Sequence, residues 1–301
     1  MNHADTHPRR CPICGGAFRR QPLFESYFAP RTDYRRFRET HSRLWLCPSC
    51  GTISRDARFE GEEVAEFFGQ TGFTDFRREQ DHLAAKGGLF RHLLSHVQGR
   101  FGTAREGSWF VDFGCSYGHL GKIFQEAGWR VAGVDVAPNI LEHHRLHGTF
   151  PVYPSLDVPE IPDGQVTAIA MIDALDYTED PEAVLRTAWR KLRPGGLVFV
   201  RLRNVNPHLR LAVRLIPFLG PYWVRRIEGS YKFYFTPRGF RRFARKAGFS
   251  GVRLIYRFGG YRYSPAMQAV HFVAQKVAEG TRGVLNAETA FYAEITKGEA
   301  Q

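Results

Sequence analysis

An α/β fold organised on a mostly parallel sheet, headed by a small four-cysteine module, is predicted by three observations. From residue 108 strand-like and helix-like stretches alternate: WFVDFG, HLGKIFQEAG, RVAGVDV, NILEHHRLHG, FPVY, VTAIAMID, PEAVLRTAWRKL and GGLVFVRLRN. Alternation of this kind places helices on both faces of a parallel sheet. Residues 111–136, VDFGCSYGHLGKIFQEAGWRVAGVDV, run from a strand through two glycines into a helix and end the next strand on an acid. Near the amino terminus, CPICGG and CPSCG repeat one pattern, C-P-x-C-G.

The 301 residues are 43% hydrophobic, enough for one large α/β domain with a small appendage. No apolar run approaches the roughly 18 to 20 residues of a membrane span. The polar start MNHADTHPRRCPIC lacks the basic-then-apolar pattern of a secretory signal, so a cytoplasmic protein is expected. The net charge of +12 comes from 35 Arg and 7 Lys spread along the chain. Such a surface attracts nucleic acid, anionic lipid or phosphorylated substrates, and it equally fits solvated faces.

Cys11 and Cys14 form one pair and Cys47 and Cys50 the other. In each, the turn lets two thiolates converge on one ion, and the following Gly permits a positive φ that turns backbone N–H groups toward sulfur. Four thiolates suit one tetrahedral Zn²⁺ per chain, whereas a redox C-x-x-C leaves the second copy unexplained. The 32 residues between the pairs carry aromatics and Arg suited to short strands, as in a zinc ribbon. A closed Cys₄ site has no position for substrate, so its role is structural. The ribbon is placed at 1–58 and a helical lead-in at 59–107. There GEEVAEFFGQ and DHLAAKGGLFRHLLSHV read as helices, with His82, His92 and His96 as surface or packing residues.

In an open parallel sheet the ligand sits beyond the carboxyl ends of the strands, where the first strand-to-helix turn approaches it. Gly114 and Gly118 fit that turn because a Cβ would block close backbone approach. Asp135 ends the next strand, where a carboxylate accepts hydrogen bonds from both ribose hydroxyls. The run is D-x-G-x-x-x-G and not the G-x-G-x-x-G of dinucleotide folds. Asp112, just before the first Gly, repels a pyrophosphate but favours the ammonium of an amino-acid moiety. That points to S-adenosylmethionine.

At these residues the chain resembles the class I S-adenosylmethionine-dependent methyltransferases. The match runs over residues 80–260 through VDFGCSYG, VAGVDVAP, EIPDGQVTAIAMIDALDYTEDP, LRTAWRKLRPGGLVFV and FTPRGFRRFARKAGF in the family's order. The resemblance implies a Rossmann-like fold with a seven-stranded sheet over 108–301. It implies that Asp112, Gly114 and Gly118 surround the methionine portion, with Cys115 and Ser116 in the same loop. Asp135 binds ribose, Val136 packs on adenine, and Ser155 and Leu156 lie at the adenine edge. Ile172, Asp173 and Ala174 follow the fourth strand beside the sulfonium. Asp176 and Tyr177 stand where Glu and His are common, and with His119 they are the candidates for catalysis. Ser116 stands where a third Gly is frequent, and Ser155 where Asp often meets the adenine amino group. Cys115 reads as packing, and Tyr117 and His119 also suit packing or substrate entry.

After the fifth strand, residues 204–235 mix an apolar stretch with Arg210, Arg214, Arg225 and Arg226, broken by Pro217 and Pro221. They suit a substrate lid, a membrane-surface patch or a packed insertion. YSPAMQAVHFVAQKVAEG reads as a helix, with His271 packed, and AETAFYAEITK as the final strand. The expected activity is methyl transfer to a small-molecule, sugar-linked or lipid-linked acceptor. A zinc ribbon before such a domain is similar to sugar C-methyltransferases, whose additional carboxy-terminal domain has no counterpart in these residues. The alternatives are an RNA methyltransferase of the ribosomal RNA type and a non-catalytic S-adenosylmethionine-binding module.

Overall fold

A computed structural model describes residues 10–27, 41–56, 76–205, 231–256, 265–281 and 290–299, together with residues 63, 66, 68, 258, 286 and 288. Most of the expected first lead-in helix, the side chain of His82 and residues 206–230 of the expected lid lie outside the described residues. Glu63, Glu66 and Phe68 are helical. No helix among the described residues is long and apolar enough to cross a membrane.

The amino-terminal strands β1 (Phe24–Tyr27), β2 (His41–Leu46) and β3 (Ile53–Arg55) form an antiparallel meander. Helix α1 (Phe76–Phe101) follows, then β4 (Trp109–Phe113), α2 (His119–Glu126), β5 (Arg130–Val134), α3 (Pro138–His147) and β6 (Val152–Tyr153). The second half adds β7 (Val166–Ile172), α4 (Pro181–Lys191), β8 (Leu192–Arg203), β9 (Phe233–Tyr234), α5 (Pro237–Lys246), β10 (Gly251–Ile255), α6 (Pro265–Gly280) and β11 (Ala290–Thr296).

The main sheet has seven strands in the order β10-β11-β8-β7-β4-β5-β6. Strands β8, β7, β4, β5 and β6 run parallel, and β11 is antiparallel to both its neighbours. The parallel strands are apolar along their length because helices cover both faces: β7, VTAIAMI, is buried at six of its seven positions. One face packs against α1 through Leu89, Leu93 and Val97, and Phe124 of α2 stacks on Phe110 of β4. The opposite face packs against α4 and α5 through Leu185, Phe240 and Phe243. Strand order reverses beside β4, which opens a crevice at the carboxyl ends of β4 and β7.

Strand β9 does not join this sheet. It pairs with β3, Ile53 opposite Tyr234, and so completes a four-stranded sheet β1-β2-β3-β9. The cysteine spacing gives no sign of this partner, which returns to the ribbon from the carboxyl end of the 204–235 segment. Thr236 adds a second tie: its hydroxyl caps α5 by accepting from Gly239 N–H at 2.9 Å and donates to the Cys50 carbonyl at 2.6 Å. Cys11, Ile13, Trp45, Cys47 and Cys50 belong to one apolar core with Phe235, Phe240 and the β7–β8 face.

Candidate active site and cysteine cluster

The turn from β4 into α2 is built from two left-handed glycines, Gly114 and Gly118, each at φ +78°. Neither has room for a side chain. A Cβ on Gly114 would lie 2.6 Å from the Ala174 Cβ, and one on Gly118 would lie 2.7 Å from His144 and 2.8 Å from Phe150. Ser116 also adopts a positive φ, +47°, which explains why the position favours glycine. Two contacts hold it there: its N–H donates to Asp135 Oδ2 at 2.9 Å, and its carbonyl meets His144 Nε2 at 2.8 Å. Asp135 Oδ1 accepts from Ala137 N–H at 3.0 Å. The acid after β5 therefore braces the loop after β4.

Asp112 is buried within β4, and its Oδ2 accepts the Gly121 N–H at 3.2 Å. Burial, and then repulsion from Asp135, pushes its carboxyl up to about 7, and burial pushes Asp135 up as well. Neither acid forms an ion pair among the described residues. A loop with glycine at both ends, beside two desolvated acids, fits a ligand carrying an ammonium and a sulfonium, and disfavours a pyrophosphate. S-adenosylmethionine matches that chemistry. Val136, 39% exposed beside Asp135, offers an apolar surface. Farther along, Leu156 is buried, and Ser155 is exposed with its Oγ accepting the Asp157 N–H at 3.0 Å. Cys115 is buried, with its thiol pushed up by burial and the neighbouring acids.

At the end of β7, Ile172 is half-buried and Asp173 turns to φ +56°. Asp173 pairs with Arg201 of β8 and, at 3.1 Å, with Lys86 of α1. Burial raises its carboxyl, but Arg201, Lys86 and Arg203 outweigh that and hold it below the ordinary carboxylate range. The turn Leu175–Tyr177 follows. Asp176 is fully buried: Oδ2 accepts the Arg203 N–H at 3.0 Å, and its own carbonyl accepts the Lys232 N–H at 3.0 Å. Burial, then repulsion from Asp173, pushes it up to about 7. Tyr177 packs at 4.7 Å from Tyr231 and 6.0 Å from Phe68, and burial drives its hydroxyl well above its ordinary value.

Asp173, Asp176 and Tyr177 thus come together, whereas His119 stands at the head of α2, where it acts electrostatically on Asp112 and His143. Sequence reasoning missed Lys86, His144, Arg201, Arg203 and Tyr231. One signal was available: in GGLVFVRLRN two arginines at i and i+2 end an otherwise apolar strand, so both project from one side at its carboxyl end. His271, expected to pack, hydrogen-bonds Glu288 at 2.8 Å. His96 bonds Glu294 at 2.8 Å, and His92 packs edge-on against Phe258. A recess of about 470 Å³ lined by Trp109, Trp129, Arg130 and Phe150 opens beside the starts of β4 and β5.

In the ribbon, the Sγ atoms of Cys11, Cys14, Cys47 and Cys50 all lie within 4.8 Å of one another. Cys11 and Cys50 are 3.8 Å apart, and Cys14 and Cys47 are 3.5 Å apart. Four thiolates at about 2.3 Å from one tetrahedral Zn²⁺ stand about 3.8 Å apart, so the cluster fits the ion. Gly15 and Gly51, which follow the two pairs, take φ +75° and +73° as expected, and Gly16 N–H points at Cys14 Sγ from 3.4 Å.

Comparison with known proteins agrees with this architecture. A family model described as a methyltransferase domain matches residues 85–254. A ubiquinone biosynthesis O-methyltransferase from Bordetella avium is 30% identical over 176 residues, covering 54% of this chain and 69% of the relative. One of the same name from Xanthomonas oryzae pv. oryzae is 29% identical over 126 residues, and there the chain spans about half the relative, 53%. Among solved structures, a phosphoethanolamine N-methyltransferase 2 from Haemonchus contortus, in complex with phosphomonomethylethanolamine and S-adenosylhomocysteine, superposes with a TM-score of 0.51 at 17% identity. That match covers 83% of this chain and 63% of the other. It is a likeness of fold.

Proposed function

The chain belongs to the methyltransferase-domain family and is an S-adenosylmethionine-dependent methyltransferase; from that premise we propose that it methylates a hydroxyl oxygen of a small-molecule, lipid-linked acceptor. The relatives named ubiquinone biosynthesis O-methyltransferase support oxygen as the acceptor atom and an acceptor of that chemistry. The observation that carries the reading is the Gly114–Gly118 loop set between the desolvated acids Asp112 and Asp135.

When bound, S-adenosylmethionine supplies a methyl group on a sulfonium, which needs no enzyme nucleophile. In our reading Asp112 draws the ammonium through the field of its carboxylate, and Gly114, Cys115, Ser116 and Gly118 pass close beside the methionine portion. Asp135 serves the ribose while bracing Ser116, Val136 lies under adenine, and Ser155 and Leu156 bound its edge. Ile172 and Asp173 close the crevice on the acceptor side. Asp176 has no exposed surface, so we assign it as a positioning residue that fixes the end of β8. Tyr177, its hydroxyl engaged with Tyr231 and kept protonated by burial, borders the acceptor side, and His119, at the head of α2, is our candidate for the group that takes the hydroxyl proton. The four cysteines hold one structural Zn²⁺.

Transfer of labelled methyl groups tests the acceptor class. Purified protein supplied with labelled S-adenosylmethionine is expected to label an alkyl-substituted catechol and to leave RNA and nucleotide sugars unlabelled. Label in RNA or in a sugar nucleotide, with none in the catechol, overturns the acceptor assignment.

A further inference from the structure

Four basic side chains gather at the carboxyl ends of β7 and β8, and three of them meet a carboxylate. Lys86 and Arg201 share Asp173, and Lys232 pairs with Glu179. Arg203, the last residue of β8, does not. Its guanidinium forms no ion pair among the described residues, and its buried Nε meets no acceptor. Asp176 accepts the Arg203 backbone N–H and not the guanidinium.

The face of that guanidinium is occupied, since its carbon lies 4.4 Å from the centre of the Tyr231 ring. That contact anchors the guanidinium beside the ring, and a guanidinium presents parallel N–H donors to a carboxylate or phosphate. Asp173 and Asp176 act on this guanidinium only through their field, and a guanidinium taken largely out of water with no carboxylate in hydrogen-bond contact leaves its donors open to an anionic ligand. Its place in the fold says what that is. Arg201 faces Ile172 across the β7–β8 ladder, so Arg203 lies two residues beyond the end of β7, beside the stretch that leads into the 175–177 turn. That is the edge of the sheet on which ligands bind, and Ala174 there abuts Gly114 of the cofactor loop.

We infer that Arg203, held against the Tyr231 ring, is the specificity-determining residue for the acceptor, and that the acceptor carries an oxyanion, a carboxylate or phosphate, near the hydroxyl that is methylated. This rests on the methyltransferase site described above. Asp173 makes its direct ion pairs with Arg201 and Lys86 and reaches Arg203 only through its field, which leaves the guanidinium donors without a carboxylate in contact. Tyr231 follows directly on the 206–230 segment, so the anion site joins the cofactor crevice to the segment that returns as β9.

Calorimetry on the full chain, zinc-loaded and saturated with S-adenosylhomocysteine, tests this with benzoate, inorganic phosphate and, as the neutral isostere, benzamide. At least one anion is expected to bind at least tenfold more tightly than benzamide; preference for benzoate identifies a carboxylate, and preference for phosphate a phosphate. Arg203→Gln is expected to lose that preference while keeping S-adenosylhomocysteine affinity within about threefold. Should Arg203→Gln fail to fold, Arg203→Lys carries the test: the charge remains, the fork is gone, and the preferred anion should bind at least threefold more weakly. Equal binding of anions and benzamide, or variants that bind the anion like the parent, overturns the inference alone. A parent that fails to bind S-adenosylhomocysteine overturns the underlying site and this inference with it.

Discussion

In the proposed site, Asp112 and Asp135 are the pair of acids that favours a cationic cofactor over a pyrophosphate. Buried carboxylates beside a glycine loop make a cationic cofactor favourable, and the same burial makes the cofactor-free protein sensitive to pH. The sign follows from the direction of the shift. Asp112 and Asp176 are both raised from 3.8 to about 7, so the stability they contribute is full below pH 4 and is lost as pH rises through 7. Melting of the cofactor-free protein should therefore show a loss from these two groups that accrues between about pH 4 and pH 7 and has levelled off by pH 8. Cofactor affinity runs the opposite way, because the ionised Asp112 is the form that attracts an ammonium. About a tenfold gain from pH 6 to pH 8 is expected, with proton release visible when calorimetry is repeated in buffers of different ionisation enthalpy. An affinity that falls over that range contradicts the role given to Asp112. Gly114→Ala places a Cβ 2.6 Å from Ala174 at a φ of +78°, and should abolish cofactor binding at a cost of about 1 to 3 kcal/mol in stability, read by calorimetry and thermal melting.

The elements divide into those whose signal is local and those made by distant pairing. Strands β4, β5, β7 and β8 and helices α2 to α5 were legible because each carries its own periodicity and its own stops: Asp180 before Pro181 and Thr236 before Pro237 open α4 and α5 with side-chain caps. The glycine loop and the four cysteines were legible because turn chemistry and ligand geometry fix their spacing. Strand β9 was not, since two residues, Phe233 and Tyr234, have no period to read and are strands only because β3 offers them an edge. The acceptor side was hidden for a similar reason: Lys86, Arg201, Arg203 and Tyr231 are brought together by topology, and no local pattern joins them. A test at this scale concerns Thr236, which caps α5 and also donates to Cys50. Thr236→Ala should cost about 1 to 2 kcal/mol and speed zinc release to a chelator, whereas Thr236→Ser should keep both hydrogen bonds. Metal analysis should find about one zinc per chain, and Cys47→Ser with Cys50→Ser should lose it together with hydrogen-exchange protection in β2, β3 and β9. Zinc retained in that double variant shows that the second pair does not ligate.

Across the whole molecule, the +12 charge and the small-molecule reading make opposing demands on an experiment in salt. A nucleic-acid acceptor brings counterion release, and its affinity falls steeply with ionic strength. A small acceptor held by one guanidinium should weaken only a few-fold between 50 and 300 mM salt, at roughly the scale of a single screened contact. One arrangement is central: the acid after β5 braces the loop after β4 and, in the proposed site, receives the ribose. Asp135→Ala removes charge-assisted hydrogen bonds of about 1.5 to 3 kcal/mol and also frees Ser116. The most direct measurement is a calorimetric titration of S-adenosylmethionine into the parent protein and into Asp135→Ala, with Asp135→Asn alongside. One cofactor per chain is expected in the parent, binding about ten- to a hundredfold weaker in Asp135→Ala and intermediate in Asp135→Asn. A parent that binds no S-adenosylmethionine, or an Asp135→Ala protein that binds it as tightly as the parent, contradicts the account.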